Sequence, residues 1–195
     1  LLTLQGALRS GVGLVRWITN PITIQHAQPP ADVLLHFPDE TTSSYLKALY
    51  PATALVVGPG WSQTPAKQEL LSELIQTHIP LCLDADALHM LRGTLRPNIV
   101  LTPHPKEMSH LMGTSVSEIQ QNRIAAAEAL AQRAQATVLL KGAATIIASP
   151  QHSTYIIGEH TPALATAGSG DVLAGLIGGL LAQGFSAHAA AALGA

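Results

Sequence analysis

The segment Gly168-Ser169-Gly170-Asp171 is the most informative stretch of the chain for chemistry. Its two glycines allow a tight turn and close backbone approach to a ligand. The apolar run after it, residues 172–181, reads as a buried helix whose first N–H groups form an anion site. Asp171 then stands at the mouth of that helix. Such a carboxylate suits a general base that takes the proton of a hydroxyl attacking a phosphoryl group. The alternative is a helix N-terminal carboxylate, worth about 1 kcal/mol to the helix and nothing more. The Gly-Lys-Ser/Thr pattern of a Walker loop is absent.

Other residues follow in order of interest. Lys141, followed by Gly142, reads either as a point charge for phosphate at a strand end or as a solvated lysine at a hairpin. His104 is stiffened between Pro103 and Pro105, with Glu107 three residues on. The pair suits polar substrate contacts or acid–base work, or else His104 is a surface histidine beside a helix cap. Asp84 and Asp86 could hold Mg²⁺ through water. The two are not expected to bind one ion directly; a structural turn is the alternative. Cys82 lies inside an apolar strand and reads as an inert buried thiol. Trp61 either floors a pocket or packs. Met108 and Met112, at helical spacing, read as core; His110 and His188 read as surface or packing residues.

These residues need a scaffold that gathers them. Residues 52–57, 80–83, 98–101 and 137–140 are short apolar runs that read as strands. They end in Gly58-Pro59-Gly60, Asp84-Ala85-Asp86, Thr102-Pro103-His104 and Lys141-Gly142. Residues 64–78 and 117–134 read as helices, the second capped by Ser117. Residues 1–10 read as the end of a helix, 14–19 and 33–37 as strands, 21–30 as a polar proline-bearing stretch, and 41–49 as a short helix. Residues 145–148 and 154–157 read as a pair of short strands about a turn. Strands alternating with helices imply a mostly parallel sheet covered on both faces. In such sheets ligands bind beyond the carboxyl ends of the strands, so these ends share one rim.

Composition narrows the function classes. The chain has 195 residues, one cysteine and a formal net charge of -2. A single cysteine excludes an intramolecular disulfide framework and any multi-cysteine zinc site. No basic block marks a nucleic-acid partner. The longest apolar run, residues 173–182, is too short to span a bilayer, and no leader pattern opens the chain. A cytoplasmic protein without a membrane partner is expected. Charged residues are 11% of the chain, against about 25% in an average soluble domain. That deficit points to a homo-oligomer or to part of a larger domain. The chain opens without Met in an apolar pattern and closes in an alanine-rich run. The expectation is a single domain over residues 1–195 that lacks its first strand and its C-terminal end.

In order, the chain carries Gly58-Pro59-Gly60, Leu83-Asp84-Ala85-Asp86-Ala87-Leu88, Leu101-Thr102-Pro103-His104-Pro105-Lys106-Glu107-Met108, Leu140-Lys141-Gly142-Ala143-Ala144-Thr145, and Ala167-Gly168-Ser169-Gly170-Asp171-Val172-Leu173-Ala174-Gly175. With Ala7-Leu8-Arg9-Ser10-Gly11-Val12-Gly13-Leu14-Val15 near the start, this set resembles the ADP/ATP-dependent NAD(P)H-hydrate dehydratases of the ribokinase-like superfamily, over the whole chain. The resemblance implies an α/β fold: a ribokinase-like three-layer sandwich with a mostly parallel central sheet and helices on both faces. It implies a repair reaction that returns hydrated NADH or NADPH to the working cofactor at the expense of ADP or ATP. The hydrate hydroxyl would be phosphorylated and phosphate then lost.

The implied roles map residue by residue. Asp171 is the base, and Gly168, Ser169 and Gly170 are the anion hole. Lys141, Gly142, Ala143, Ala144 and Thr145, with Gly170, line the nucleotide site. Gly60, His104, Glu107 and Asp171 meet the hydrate. Mg²⁺ bridges phosphates and is held largely by water and nucleotide, with no protein ligand assigned. Fusion to, or cooperation with, a NAD(P)H-hydrate epimerase is compatible with the resemblance. Ser62 stands where the family often has glycine. Two rival readings share Asp171: a ribokinase-like kinase of a small alcohol or vitamin precursor, and a non-catalytic nucleotide-binding protein. The segment 103–107 speaks against the first; Asp171 and Lys141 together speak against the second.

Overall fold

The computed structural model describes residues 1–39, 41–158 and 164–195. Its elements are, in chain order, α1 (Leu2–Arg9), β1 (Val15–Ile18), α2 (Pro21–Gln25), β2 (Val33–His36), α3 (Thr42–Ala48), β3 (Leu55–Val57), α4 (Pro65–Gln76), β4 (Leu81–Leu83) and α5 (Asp86–Met90). There follow β5 (Ile99–Leu101), α6 (Pro105–Met112), α7 (Val116–Gln121), α8 (Arg123–Ala134), β6 (Thr137–Leu140), β7 (Thr145–Ser149), β8 (His152–Ile157), α9 (Ser169–Ala182) and α10 (Ala187–Gly194).

The main sheet has six strands in the order β3-β4-β5-β6-β7-β8. β3, β4, β5 and β6 run parallel. β7 and β8 add an antiparallel hairpin at one edge. β1 and β2 pair in parallel as a separate two-stranded sheet. Side-chain alternation sorts the strands into two cores, as a pleated sheet requires. Leu81, Leu83, Ile99, Leu101, Val138 and Leu140 face the helices α4, α5, α6 and α8. Cys82, Val100, Leu139 and Ile147 face α9 and α10. The result is the expected three-layer α/β arrangement, and β4, β5 and β6 are buried on both faces.

α9 is apolar because it is buried, and its glycines set how deeply. A Cβ at Gly175 would overlap the Thr3 carbonyl of α1. Glycine there lets the two helices cross in near-backbone contact, which fixes the height of the α9 N-terminus above the sheet.

Three readings of the sequence need correction. Residues 117–134 are not one helix: Asn122, at φ -145° and ψ 72°, divides α7 from α8, and its side chain caps α8 through Ala125. Ser115, not Ser117, caps α7, in a reciprocal box with Glu118. The proline-bearing stretch holds a short helix, α2, capped by Asn20 with Pro21 in its first turn.

Candidate active site

The strand ends form a connected rim. Asp84 N–H donates to the Val57 carbonyl, Thr102 N–H to Leu83, and Lys141 N–H to Pro103, each at 2.9–3.1 Å. These rungs carry the sheet one step past its last ladder pair, so the side chains of residues 84, 102 and 141 emerge in register. Gly58 is needed beside them. Its φ is +119°, and a Cβ there would overlap the Asp84 carbonyl oxygen.

The central charges converge from β4, α6 and β6. Lys141 Nζ lies 2.8 Å from Asp84 Oδ1 and 3.8 Å from Glu107 Oε2. The side chains of Asp84, Glu107 and Lys141 are 3%, 7% and 20% exposed. Two buried carboxylates without a cation would be costly, and Lys141 offsets that cost. The lysine is therefore not a solvated hairpin residue. Glu107 also accepts the His104 N–H at 2.8 Å.

α9 closes the site from the other side. A Cβ on Gly170 would sit 3.3 Å from Lys141 Nζ and 3.9 Å from Asp84 Oδ2. The first turn of α9 thus rests on the Asp84–Lys141 pair. Gly168, at φ +89°, starts the helix without a side-chain cap; the Ser169 N–H donates to the Thr166 carbonyl at 3.3 Å, while those of Gly170 and Asp171 stay open to an anion. The helix begins at Ser169, three residues earlier than the apolar run suggests, so Asp171 lies in its first turn. Among the described residues, Asp171 has no hydrogen-bond or ion-pair partner.

The remaining candidates take definite positions. His104 caps α6: its Nδ1 accepts from the N–H groups of Lys106 and Glu107, both at 3.1 Å. That leaves Nε2 as the protonated nitrogen, 3.5 Å from Glu107 Oε1, on a side chain 47% exposed. Asp84 and Asp86 point different ways because Ala85, at φ 48°, turns the chain out of β4 and Asp86 already begins α5; two residues apart on a continuous strand they would share a face. Asp86 accepts from Ser62 N–H at 2.8 Å and Gln63 Nε2 at 2.9 Å, and so holds the loop after Gly60. Ser62, where the family often has glycine, sits at φ 62°. Ala85 between the two aspartates has φ 48° and ψ -122°, a sparsely populated conformation of the kind that clusters at functional sites. Trp61 packs against the core. Burial, and then the nearby charge of Asp84, push the Cys82 thiol far up, so it is inert. Met108 is core, and His188 is buried. Sequence reasoning did not single out Arg123, at the start of α8, which lies against the loop after β6.

Asp84 and Glu107 are hard oxygen donors beside the anion-binding turn, which fits Mg²⁺ held through water and phosphate. Lys141 already occupies their inner side. No group of three His, Cys, Asp or Glu that could cage a metal occurs among the described residues. No helix among them is long and apolar enough to cross a membrane.

Comparison with known proteins agrees with this geometry. The chain is 41% identical over 179 residues to the ADP-dependent (S)-NAD(P)H-hydrate dehydratase of Neisseria meningitidis, covering 85% of this chain and 60% of that protein. It is 40% identical over 209 residues to the bifunctional NAD(P)H-hydrate repair enzyme Nnr of Moorella thermoacetica, covering 97% of this chain and 39% of that protein. The chain therefore spans less than two thirds of the length of these two relatives. Among solved structures, the ADP/ATP-dependent NAD(P)H-hydrate dehydratase of Bacillus subtilis, co-crystallised with ATP and Mg²⁺, superposes with a TM-score of 0.80 at 31% identity, over 93% of this chain and 68% of that one. The fold is accordingly ribokinase-like. The sequence model of the NAD(P)H-hydrate dehydratases, Carb_kinase, matches residues 1–195, and the chain belongs to that family.

Proposed function

We propose that this chain carries the ADP- or ATP-dependent dehydration of hydrated NADH or NADPH. The observation that supports it most is the Asp84–Lys141–Glu107 cluster set directly under Gly170, with the carboxylate of Asp171 unpaired one residue further on. That arrangement offers a cation and open helix N–H groups for a transferring phosphoryl group, and a free base beside them.

In this reading Asp171 takes the proton of the hydrate hydroxyl as its oxygen attacks the terminal phosphorus of the nucleotide. The bond from that phosphorus to the nucleotide's bridging oxygen breaks. The C–O bond of the phosphorylated hydrate then breaks with its electron pair going to the phosphate oxygen, and loss of a proton from the neighbouring ring carbon restores the double bond. Lys141 and the first amides of α9 hold the anionic oxygens throughout. Gly142, Ala143, Ala144 and Thr145 line the nucleotide, while His104 Nε2 and Gly60 meet the hydrate. Asp84 and Glu107 would hold Mg²⁺ through water, and the ion would supply charge neutralisation for the phosphates.

Further parts of the reading are coarser. The bifunctional name of the Moorella relative fits fusion to, or cooperation with, an epimerase. The exposed Leu34, Leu35 and Phe37 fit self-association, and a cytoplasmic location fits the soluble nucleotide substrates.

The test mixes the full-length protein with NADH-hydrate, Mg²⁺ and either ADP or ATP, and follows the reduced-nicotinamide absorbance. Recovery that needs nucleotide is expected. Asp171→Asn should slow it by about 10²–10⁴-fold. No recovery with either nucleotide would sink the dehydratase reading; undiminished recovery in the variant would remove Asp171 from its role.

A further inference from the structure

Arg123 is the first residue of α8, where the positive end of the helix dipole disfavours a cation. Local helix energetics therefore do not explain an arginine here. Its contacts do. One guanidinium nitrogen, Nη2, donates to the carbonyls of Ala144 at 2.9 Å, Lys141 at 3.3 Å and Leu140 at 3.4 Å. The other, Nη1, donates to Gln120 Oε1 at 3.3 Å. The group underlies the turn closely: a Cβ at Gly142 would overlap both terminal nitrogens. Nε is buried without a partner, so the side chain is committed to this place at a cost.

What the guanidinium does follows from which atoms it gathers. A turn whose carbonyls are drawn to one side presents its amides on the other. Among the described residues, the N–H groups of Gly142, Ala143 and Ala144 donate to no protein acceptor. Lys141 is also pinned at both ends of its peptide unit. Its N–H donates to Pro103 at 2.9 Å and its carbonyl accepts from Arg123. That fixes the direction in which its side chain leaves for Asp84.

We propose that Arg123 is a positioning residue that shapes residues 141–145 to receive the nucleotide, without touching the nucleotide itself. This rests on the reading of that loop as the nucleotide site. It sets nucleotide affinity through the loop, and it leaves the hydrate side of the site alone. Lysine is a poor substitute, because a single ammonium on a flexible stem cannot span several carbonyls as a planar fork does.

The test uses the full-length protein as wild type, Arg123→Lys and Arg123→Ala, and measures ADP and ATP binding by calorimetry, with no turnover required. Arg123→Ala should weaken nucleotide binding by about ten- to a hundredfold, and Arg123→Lys by less. At saturating nucleotide, the KM for the hydrate should stay within about twofold. Millimolar ethylguanidinium should restore part of the affinity lost in Arg123→Ala. Wild-type binding in both lysine and alanine variants would overturn the proposal. So would an equal loss toward hydrate and nucleotide, which a general structural role would give. Should the alanine variant fail to fold, the lysine variant decides alone by the same criteria. Nucleotide binding by wild type without turnover of the hydrate would remove the dehydratase reading and leave the Arg123 test intact. Absence of nucleotide binding in wild type would overturn both.

Discussion

The two rims of the central sheet use their charges differently. At the carboxyl ends, Lys141 reaches Asp84 and Glu107, 57 and 34 positions away in sequence. At the opposite rim, Arg96 donates to the Ile75 carbonyl, Arg92 to His89 and Leu91, and Arg133 to Leu111. Those arginines close the carbonyl ends of α4, α5 and α6, the ordinary use of a cation at a helix C-terminus. Yet this opposite rim has a cleft of about 420 Å³, lined by Leu88, Leu91, Arg92, His110, Leu111 and Arg133. Hollow volume does not mark the chemistry here. Buried charges from separate strands, meeting beside an open helix N-terminus and an unpaired carboxylate, do.

Breaking the carboxyl-end cluster should show the larger effect. Asp84→Asn leaves Lys141 with only the more distant Glu107. It should destabilise the fold by up to about 3 kcal/mol, the low end of the range for a broken buried pair, because Lys141 keeps some solvent contact. Activity should fall with it. Urea unfolding and turnover measure the two. At the opposite rim, Arg133→Ala should shift stability by only about 0.3–1 kcal/mol and leave turnover within about twofold. Equal effects at the two rims would erase the distinction.

A buried titratable group away from both rims sharpens the contrast. His188 on α10 is 7% exposed, stacked on His152 at 4.6 Å and bonded through Nδ1 to Ser149. Burial, and then the charge of His152, hold its pKa below the ordinary histidine value. The unfolded chain therefore binds this proton more readily than the native one. Stability from the neutral ring is complete above the unfolded pKa of about 6.5, and is lost as pH falls below it through the folded value. Unfolding midpoints should decline on acidification in wild type, and less steeply in His188→Phe. Parallel pH profiles for the two proteins would show that His188 carries no such linkage. The effect is smaller than that of Asp84→Asn, since no ion pair is broken.

Much of this was legible in the sequence where signals are local. Apolar runs ending in Gly58, Asp84, Thr102 and Lys141 mark buried parallel strands, and the rim follows from their direction. The box of Ser115 with Glu118, and Asn20 before Pro21, were readable caps that the periodicity of the neighbouring residues obscured. His104 as the cap of α6 was harder, because histidine is not an ordinary capping residue. The pairing of Asp84 with Lys141 was not legible at all. A single sequence does not say which strands lie side by side, and the β4–β5–β6 order alone brings them together. Arg123 was hidden for a similar reason: its role depends on a carbonyl trio presented by a loop on another element.

The central claim is that phosphoryl transfer to the hydrate hydroxyl precedes loss of its oxygen at this rim. The most direct test gives the full-length protein NADH-hydrate whose hydroxyl carries heavy oxygen, with ATP, and analyses the products by mass spectrometry. The account predicts that the label appears in inorganic phosphate, one heavy oxygen per turnover. Label found in water, with unlabelled phosphate, would contradict it.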